Sequence, residues 1–459
     1  MRSAIRTRKA EARRARRHGE ARPQHGSAMV TKRETLLVAG VGLVAAAVVV
    51  VGVAIHAATG GLGVPTPPFV MDWGPQAEPW GVGAAILALA MLLWSAPRAV
   101  KLGSTATFAV AAFGLALAVA LAVNAARSGA VSWYEVFDLG PGGSWEAGNE
   151  ILAGLPAFSY GTHFFLDRFA ELVPSQPVHQ AGHPPGLPVL IHLVGVDTAR
   201  ELATLCVVAL AGIAPATYAL GRALDLGEGL ARRAALLACA SPVLILYGVT
   251  SPDAVFALVG AIAAALLCQA RPGRWVAGTV VLAIGSMLSW ALLAIGAWAF
   301  LVTWARRGAR PALVLGAGCG VAVLALQGAV AAASGYDPLG TLQATGEVYR
   351  AGIASIRPYE FWVLGSPVAY TLTAGLPLAA AWLVAGARRS VPALALIAIV
   401  VISAVLGFSK AEVERIWLQF TPMLCLAAAV VIDDRRLRPA LALLGAQALA
   451  TSILFATIW

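Results

Sequence analysis

The sequence predicts an all-α polytopic membrane protein, with about 13 transmembrane helices and a large external loop bearing interfacial helices. Three observations carry that prediction. Only 12% of the 459 residues are charged while 59% are hydrophobic, against roughly 25% charged in an ordinary soluble domain. Uncharged apolar runs recur, such as 35–58, 105–126 and 311–333, each near the ~20 residues that cross a bilayer. Basic residues gather in short turns and acidic ones in long loops. A soluble enzyme, a disordered chain and a single-span anchor are excluded.

The elements follow in chain order. Residues 1–34 form a basic arm with eleven Lys/Arg against Glu11, Glu20 and Glu34, and so hold most of the formal +10 charge. Placed just before a span, the stretch 2–17 is expected to lie on anionic lipid headgroups in the cytoplasm, not on nucleic acid. It is too long and basic for a conventional signal peptide, so the first span is expected to stay. Candidate spans lie near 35–57, 81–97, 104–126, 200–222, 234–248, 253–270, 275–289, 290–305, 311–333, 362–386, 391–407, 417–433 and 439–457. The run 276–304 is too long for one span and basic at both ends, so it reads as a hairpin turning near Ser286–Trp290. The stretch 186–196 is too short to span and is expected to be re-entrant or interfacial, or to join a bent span.

This gives four regions: the arm 1–34, an N-terminal hairpin 35–103, a core 104–333 with an external loop 128–199, and a C-terminal region 334–459 with external loops 334–361 and 408–416. With the N-terminus cytoplasmic, alternation puts 26 of the 33 Lys/Arg inside and sixteen of the 23 acids outside, as the positive-inside rule requires. A plasma-membrane protein with its working face external is expected. Cys206, Cys239, Cys268, Cys319 and Cys425 all lie in apolar runs without CxxC spacing, so neither disulfides nor a thiolate metal site is expected. No internal repeat, Walker loop, GxGxxG or GxSxG pattern occurs in a suitable context.

The long external loop holds Glu135, Asp138, Glu146, Glu150, Asp167 and Glu171 with His163, His179 and His183. A loop of this length is uncommon unless functional. The ordinary role of each carboxylate is a solvated loop charge. Asp138 and Glu135 differ, because they follow a span closely, among Trp133, Tyr134 and Phe137. A carboxylate against aromatic rings at a membrane boundary tends toward the raised pKa of a general base. His179 and His183 are four apart, but Gly182, Pro184 and Pro185 interrupt any helix and no HExxH forms. No metal is indicated, and His183 is expected to hydrogen-bond at the head of a rigid turn. Stretch 164–172 reads as an amphipathic interfacial helix.

Arg350, Arg357, Lys410 and Arg415 are the external cations of the C-terminal half. Each has acids nearby, so local ion pairing competes with binding of an anionic headgroup, for which Arg357 and Arg415 are placed beside Tyr359, Phe361, Trp362 and Trp417. Asp253 opens a span after Ser251-Pro252, where it either caps the helix N-terminus or faces a cavity.

His183-Pro184-Pro185-Gly186 closing an acidic loop, the Ser251-Pro252-Asp253 turn, Arg357-Pro358-Tyr359 and Glu412-Val413-Glu414-Arg415-Ile416-Trp417 together resemble the GT-C superfamily of integral membrane glycosyltransferases. The similarity is to its protein O-mannosyltransferase-like and actinobacterial mannosyl- and arabinosyltransferase branches, over roughly residues 104–433. The Ala/Arg/Gly-rich composition is similar to that of actinobacterial proteins. The resemblance implies a GT-C-like fold, a polyprenyl-phosphate sugar donor, a glycan, glycolipid or protein acceptor, and no separate cofactor. It implies a base near the start of the large loop, a role falling on Asp138, with Glu135 and Glu150 as substitutes. If the N-terminal hairpin is not an addition, Asp72 takes that role. His183 matches a loop-end histidine, with His179 beside it, and Arg357 and Arg415 would bind the lipid phosphate. Two other functions compete: a transporter or flippase of a lipid-linked glycan, which the near absence of charge inside the spans disfavours, and a non-catalytic envelope-synthesis scaffold. Oligomeric state is open.

Overall fold

The structure, a computed structural model, describes residues 30–141 and 143–457. The basic arm therefore lies, up to residue 29, outside the described residues. The chain is nearly all helical. It runs through α1 (Lys32–Thr59), β1 (Met71–Trp73), α2 (Pro79–Ala99), α3 (Thr105–Ser128), a set of 3-10 turns, and short helices α4 (Thr162–Asp167), α5 (Phe169–Leu172), α6 (Val178–Ala181) and α7 (Gly186–Leu193). Then come α8 (Ala199–Ala223), α9 (Glu228–Ala240), α10 (Pro242–Tyr247), α11 (Asp253–Leu267), α12 (Pro272–Leu288), α13 (Leu293–Arg307) and α14 (Ala309–Ser334). The last group is α15 (Pro338–Ala351), α16 (Tyr359–Ala374), α17 (Leu376–Ala387), α18 (Val391–Leu406), α19 (Val413–Ile416), α20 (Thr421–Ala429), α21 (Asp434–Leu454) and β2 (Phe455–Thr457).

Six helices, α1, α2, α3, α8, α14 and α21, are long and apolar enough to cross a membrane, or seven if the pair α16 and α17 counts as one span. Several apolar helices such as α11, α12 and α18 are shorter. Four expected elements differ. The range 362–386 is not one helix, because it bends by 114° at Gly375, whose φ of 124° and the proline at the second position of α17 stop helical continuation. The range 439–457 ends as helix at Leu454, and Phe455–Thr457 instead pair antiparallel with Met71–Trp73. The range 234–248 breaks at extended Ser241 before Pro242. The stretch 164–172 is two short helices meeting at Arg168, not one.

Termini are capped as the local sequence dictates. Thr31 and Glu34 form a capping box on α1, and Thr198 and Glu201 form another on α8, so orphan amides at each N-terminus find acceptors. The core is built from α8, α9, α10, α11 and α20, where alanine lets helices approach closely and every α20 residue is buried. By contrast α1 and α14 present large apolar side chains outward, with Leu43 and Leu324 each 73% exposed. Such all-round apolar faces are stable against lipid, not water.

Side-chain bonds sort the connections to two ends. At one, Arg388 pairs with Glu34 at 2.6 Å, Arg233 with Asp434 at 2.8 Å, and buried Arg232 donates to the carbonyls of Val100 and Leu102. At the other, Arg127 donates to the Gly74 and Phe455 carbonyls at 2.9 and 3.0 Å, and Arg357 to those of Lys410 and Gly63 at 2.8 and 3.2 Å. The first set ties the turns at 34, 100–102, 232–233, 388 and 434, the second the segments at 63, 74, 127, 357, 410 and 455.

Candidate functional site

At the loop end, a buried ionic network is assembled from five separate segments, 146–150, 179, 253, 357 and 410–415. Arg415 on α19 is its hub. Nη1 of Arg415 donates to Oδ2 of Asp253 at 2.7 Å, and Nη2 donates to Nδ1 of His179 at 2.8 Å and to Oε2 of Glu412 at 3.3 Å. Because guanidinium only donates, His179 Nδ1 is the acceptor, and a neutral ring carries its proton on Nε2. That nitrogen lies 2.5 Å from Oε1 of Glu146 and 4.0 Å from Oε1 of Glu150. Arg357 joins through Glu412 Oε1 at 2.7 Å. Lys410 closes the outer edge, with Nζ on the Ala354 and Arg357 carbonyls at 2.8 and 2.7 Å.

Local sequence explains each placement. Ser144 accepts from the Glu146 amide and starts a 3-10 turn, Trp145–Asn149, which sets Glu146 and Glu150 one turn apart. His179 sits on the single turn of α6, entered through Pro177. Ser251 Oγ accepts from the Asp253 amide and donates to Oδ2 of Asp253 at 2.6 Å. Asp253 is thus inside the first turn of α11, and its carboxylate turns to Arg415 instead of capping the helix. The glycine of the HPPG stretch is a packing requirement: a Cβ on Gly186 would overlap the backbone carbonyl of Met287 at the end of α12.

Burial sets the electrostatics. It works against the Arg415 charge, but Asp253, Glu412 and Glu150 outweigh it and raise the guanidinium pKa. Burial would raise Glu412 too, yet Arg357 and Arg415 hold it down to about 2. Glu150 is raised by burial, against the pull of His179 and Arg415. Glu414, whose Oε1 accepts from the Val70 amide at 2.9 Å, is pushed up to about 7 by burial, and burial takes His183 down to about 4.

The last two shifts act oppositely on stability. Folded Glu414 keeps its proton to about pH 7, above its ordinary value of 4.5, so its contribution is complete below pH 4.5 and is lost as pH rises to 7. Folded His183 stays neutral to about pH 4, below its ordinary 6.5, so its contribution is complete above 6.5 and is lost as pH falls to 4. The two offset each other between pH 4.5 and 6.5. Glu414→Gln removes the first, and thermal unfolding in detergent is expected to show a midpoint that climbs across that window more steeply than in the wild type. An unchanged profile counts against it.

The other expected site residues lie apart. Asp72 is exposed on β1, its Oδ1 accepting from the Trp73 amide. Asp138 is half-buried and its Oδ1 accepts from the Gly140 amide at 2.9 Å. Arg350 is exposed on α15. Glu135 borders a polar cavity of about 170 Å³ with Asn124, Arg127, Ser132, Ser144 and Thr250. Ser132 also borders an apolar groove of about 640 Å³ among α2, α3 and α8, walled by Trp80, Leu117, Leu121, Trp133 and Val207.

The structure changes one expectation for this region and narrows the readings left open. His183 does not anchor a turn by hydrogen bonding: its Nδ1 is buried without a partner among the described residues, and its ring centroid lies 5.2 Å from that of Phe256. The histidines do not act as a pair, because α6 ends at Gly182, and His179 turns to Glu146. Arg357 and Arg415, 5% and 4% exposed, are bound to internal carboxylates, so neither presents an open guanidinium. Asp253 does not cap its helix. Glu146 and Glu412 are members that sequence reasoning passed over as loop charge and ion-pair neighbour. The four-residue spacing of Glu146 and Glu150 was the available signal. No protein-family model, curated protein or solved structure matches the chain.

Proposed function

We propose that this protein is a membrane glycosyltransferase of GT-C type with about thirteen spans. It moves a sugar, mannose or arabinofuranose, from a polyprenyl-phosphate donor to an envelope glycan, lipid or protein acceptor on the external face. The observation that carries the reading is the meeting of the apolar groove with the polar cavity at Ser132. The groove follows α3 from Leu117 to Ala125, about 12 Å at 1.5 Å per residue, and suits one apolar chain lying along the bundle. Glu135 and Arg127 border the polar cavity at its end, where a carboxylate and a cation meet the head of such a lipid.

In this reading Glu135, not Asp138, is the base, since Asp138 is outside the cavity lining and holds its own turn. Glu135 takes the acceptor proton as the hydroxyl oxygen attacks the anomeric carbon. The bond from that carbon to the lipid phosphate breaks, and the phosphate departs with the electron pair. One displacement inverts the anomeric centre.

The test is transfer by purified protein in lipid, offered a panel of radiolabelled polyprenyl-phosphate sugars. Turnover that drops about 100-fold in Glu135→Gln, with folding intact, supports the assignment. Loss in Asp138→Asn but not in Glu135→Gln moves the base. Absence of turnover with every donor, envelope acceptors supplied, overturns the enzyme reading in favour of a flippase or scaffold.

A further inference from the structure

We propose that Glu146, Glu150 and His179 form a binding site for a divalent cation of the manganese or zinc kind. The inference rests on side-chain geometry alone and is independent of the glycosyltransferase reading. One donor atom from each of these residues lies within 4.8 Å of the other two, and the residues come from two chain segments, 146–150 and 179.

The deciding observation is Glu150. It is fully buried, and neither carboxylate oxygen has a hydrogen-bond partner among the described residues. Buried polar groups are almost always paired, and an orphaned carboxylate is among the most costly exceptions. Its Oε1 faces His179 Nε2 at 4.0 Å, so the orphan side chain is directed into the cluster.

Charge points the same way. Among the described residues, and leaving Glu414 aside, the carboxylates of Glu146 and Glu150 lie against the His179 ring, and those of Asp253 and Glu412 against the guanidiniums of Arg357 and Arg415. With His179 neutral and the Lys410 ammonium turned to the Ala354 and Arg357 carbonyls at the outer edge, the four carboxylates have two guanidiniums against them, a deficit of two in a buried region, where charge must be compensated. Two protons or one divalent cation make up that deficit. A proton on Glu150 removes its charge but leaves an O–H without an acceptor and a carbonyl oxygen without a donor. A cation takes charge and lone pairs together.

The donor set selects the ion. Two carboxylates and one imidazole suit manganese or zinc, whereas magnesium and calcium prefer oxygen alone. Arg415 supplies the coupling. For Nε2 to bind metal, the ring proton must pass to Nδ1, which now accepts from Arg415 Nη2. That donor already has Glu412 Oε2 at 3.3 Å and turns onto it. Cation loading therefore draws Arg415 Nη2 onto Glu412 within the 412–415 segment while it ties 146–150 to 179.

The test uses the full-length protein in detergent, stripped with a chelator and then titrated with Mn²⁺ or Zn²⁺ alone. The expected result is one Mn²⁺ per chain by electron paramagnetic resonance, with a nitrogen coupling from His179, and a raised thermal midpoint. Glu150→Gln is expected to weaken binding about 100-fold or more, at least the effect of losing an outer-shell partner. It is also expected to leave metal-free stability unchanged or higher, because it removes an unpaired buried charge, so a folding failure is told apart from a binding failure. Two results overturn the proposal: neither ion binding or stabilising the wild type, or Glu150→Gln and Glu146→Gln both binding as the wild type does. No sugar donor is present, so this outcome and that of the transfer assay are read separately.

Discussion

Arg415→Met is expected to cost the folded protein about 3–5 kcal/mol, the range for breaking a buried ion pair by removing one partner. The methionine fills similar volume, so lost packing is minor. What remains is Asp253, 2% exposed, with only the Ser251 hydroxyl on its Oδ2, and Glu412 with Arg357 as its single ion partner. His179 Nδ1 loses its donor as well. The measurement is the thermal unfolding midpoint and the monodisperse fraction in detergent. The double change Arg415→Met with Asp253→Asn is expected to recover part of the loss, since contacting partners are strongly non-additive. A single variant as stable as the wild type would show that the network carries no folding energy.

A methyl group at Gly186 is expected to cost about 1–3 kcal/mol, whereas the same methyl at Gly182 is expected to cost less than about 0.5 kcal/mol. At Gly186 the new carbon would overlap the Met287 carbonyl, which is backbone and yields only if α7 and α12 part. At Gly182 it would meet only the Val178 carbonyl oxygen, at an ordinary 3.7 Å. The pair keeps chemistry and neighbourhood constant and changes only the space available. Unfolding of Gly186→Ala and Gly182→Ala in parallel checks it. Equal midpoints would remove the packing account of the HPPG glycine and leave its role to the site.

Much of the helical plan was legible because hydrophobic runs and Gly or Pro breaks are local properties. α1, α2, α3, α8 and α14 each lie within a few residues of their expected ranges. Two ranges changed for non-local or backbone reasons. The bend at Gly375 needs a φ that sequence alone does not assign, and Phe455–Thr457 becomes a strand only because Met71–Trp73 reaches it. At the site, Glu150, His179, Asp253, Arg357, Lys410 and Arg415 were singled out by residue type, and they meet. Glu146 and Glu412 were hidden, because an acid in an acidic loop carries no mark until a partner distant in the chain is known.

Composition and charge by themselves determined the class of this protein: a nearly all-helical chain with apolar helices fit for a membrane, basic turns gathered apart from acidic loops. These follow from transfer free energy and electrostatics summed over short windows, which need no knowledge of the fold. Tertiary structure alone decided which acid meets which cation. Arg415 contacts residues 236 and 162 positions away in the chain, and only packing of α6, α11 and α19 brings them within hydrogen-bond range. The same packing removes water from them, which turns ordinary loop charges into a coupled, buried site.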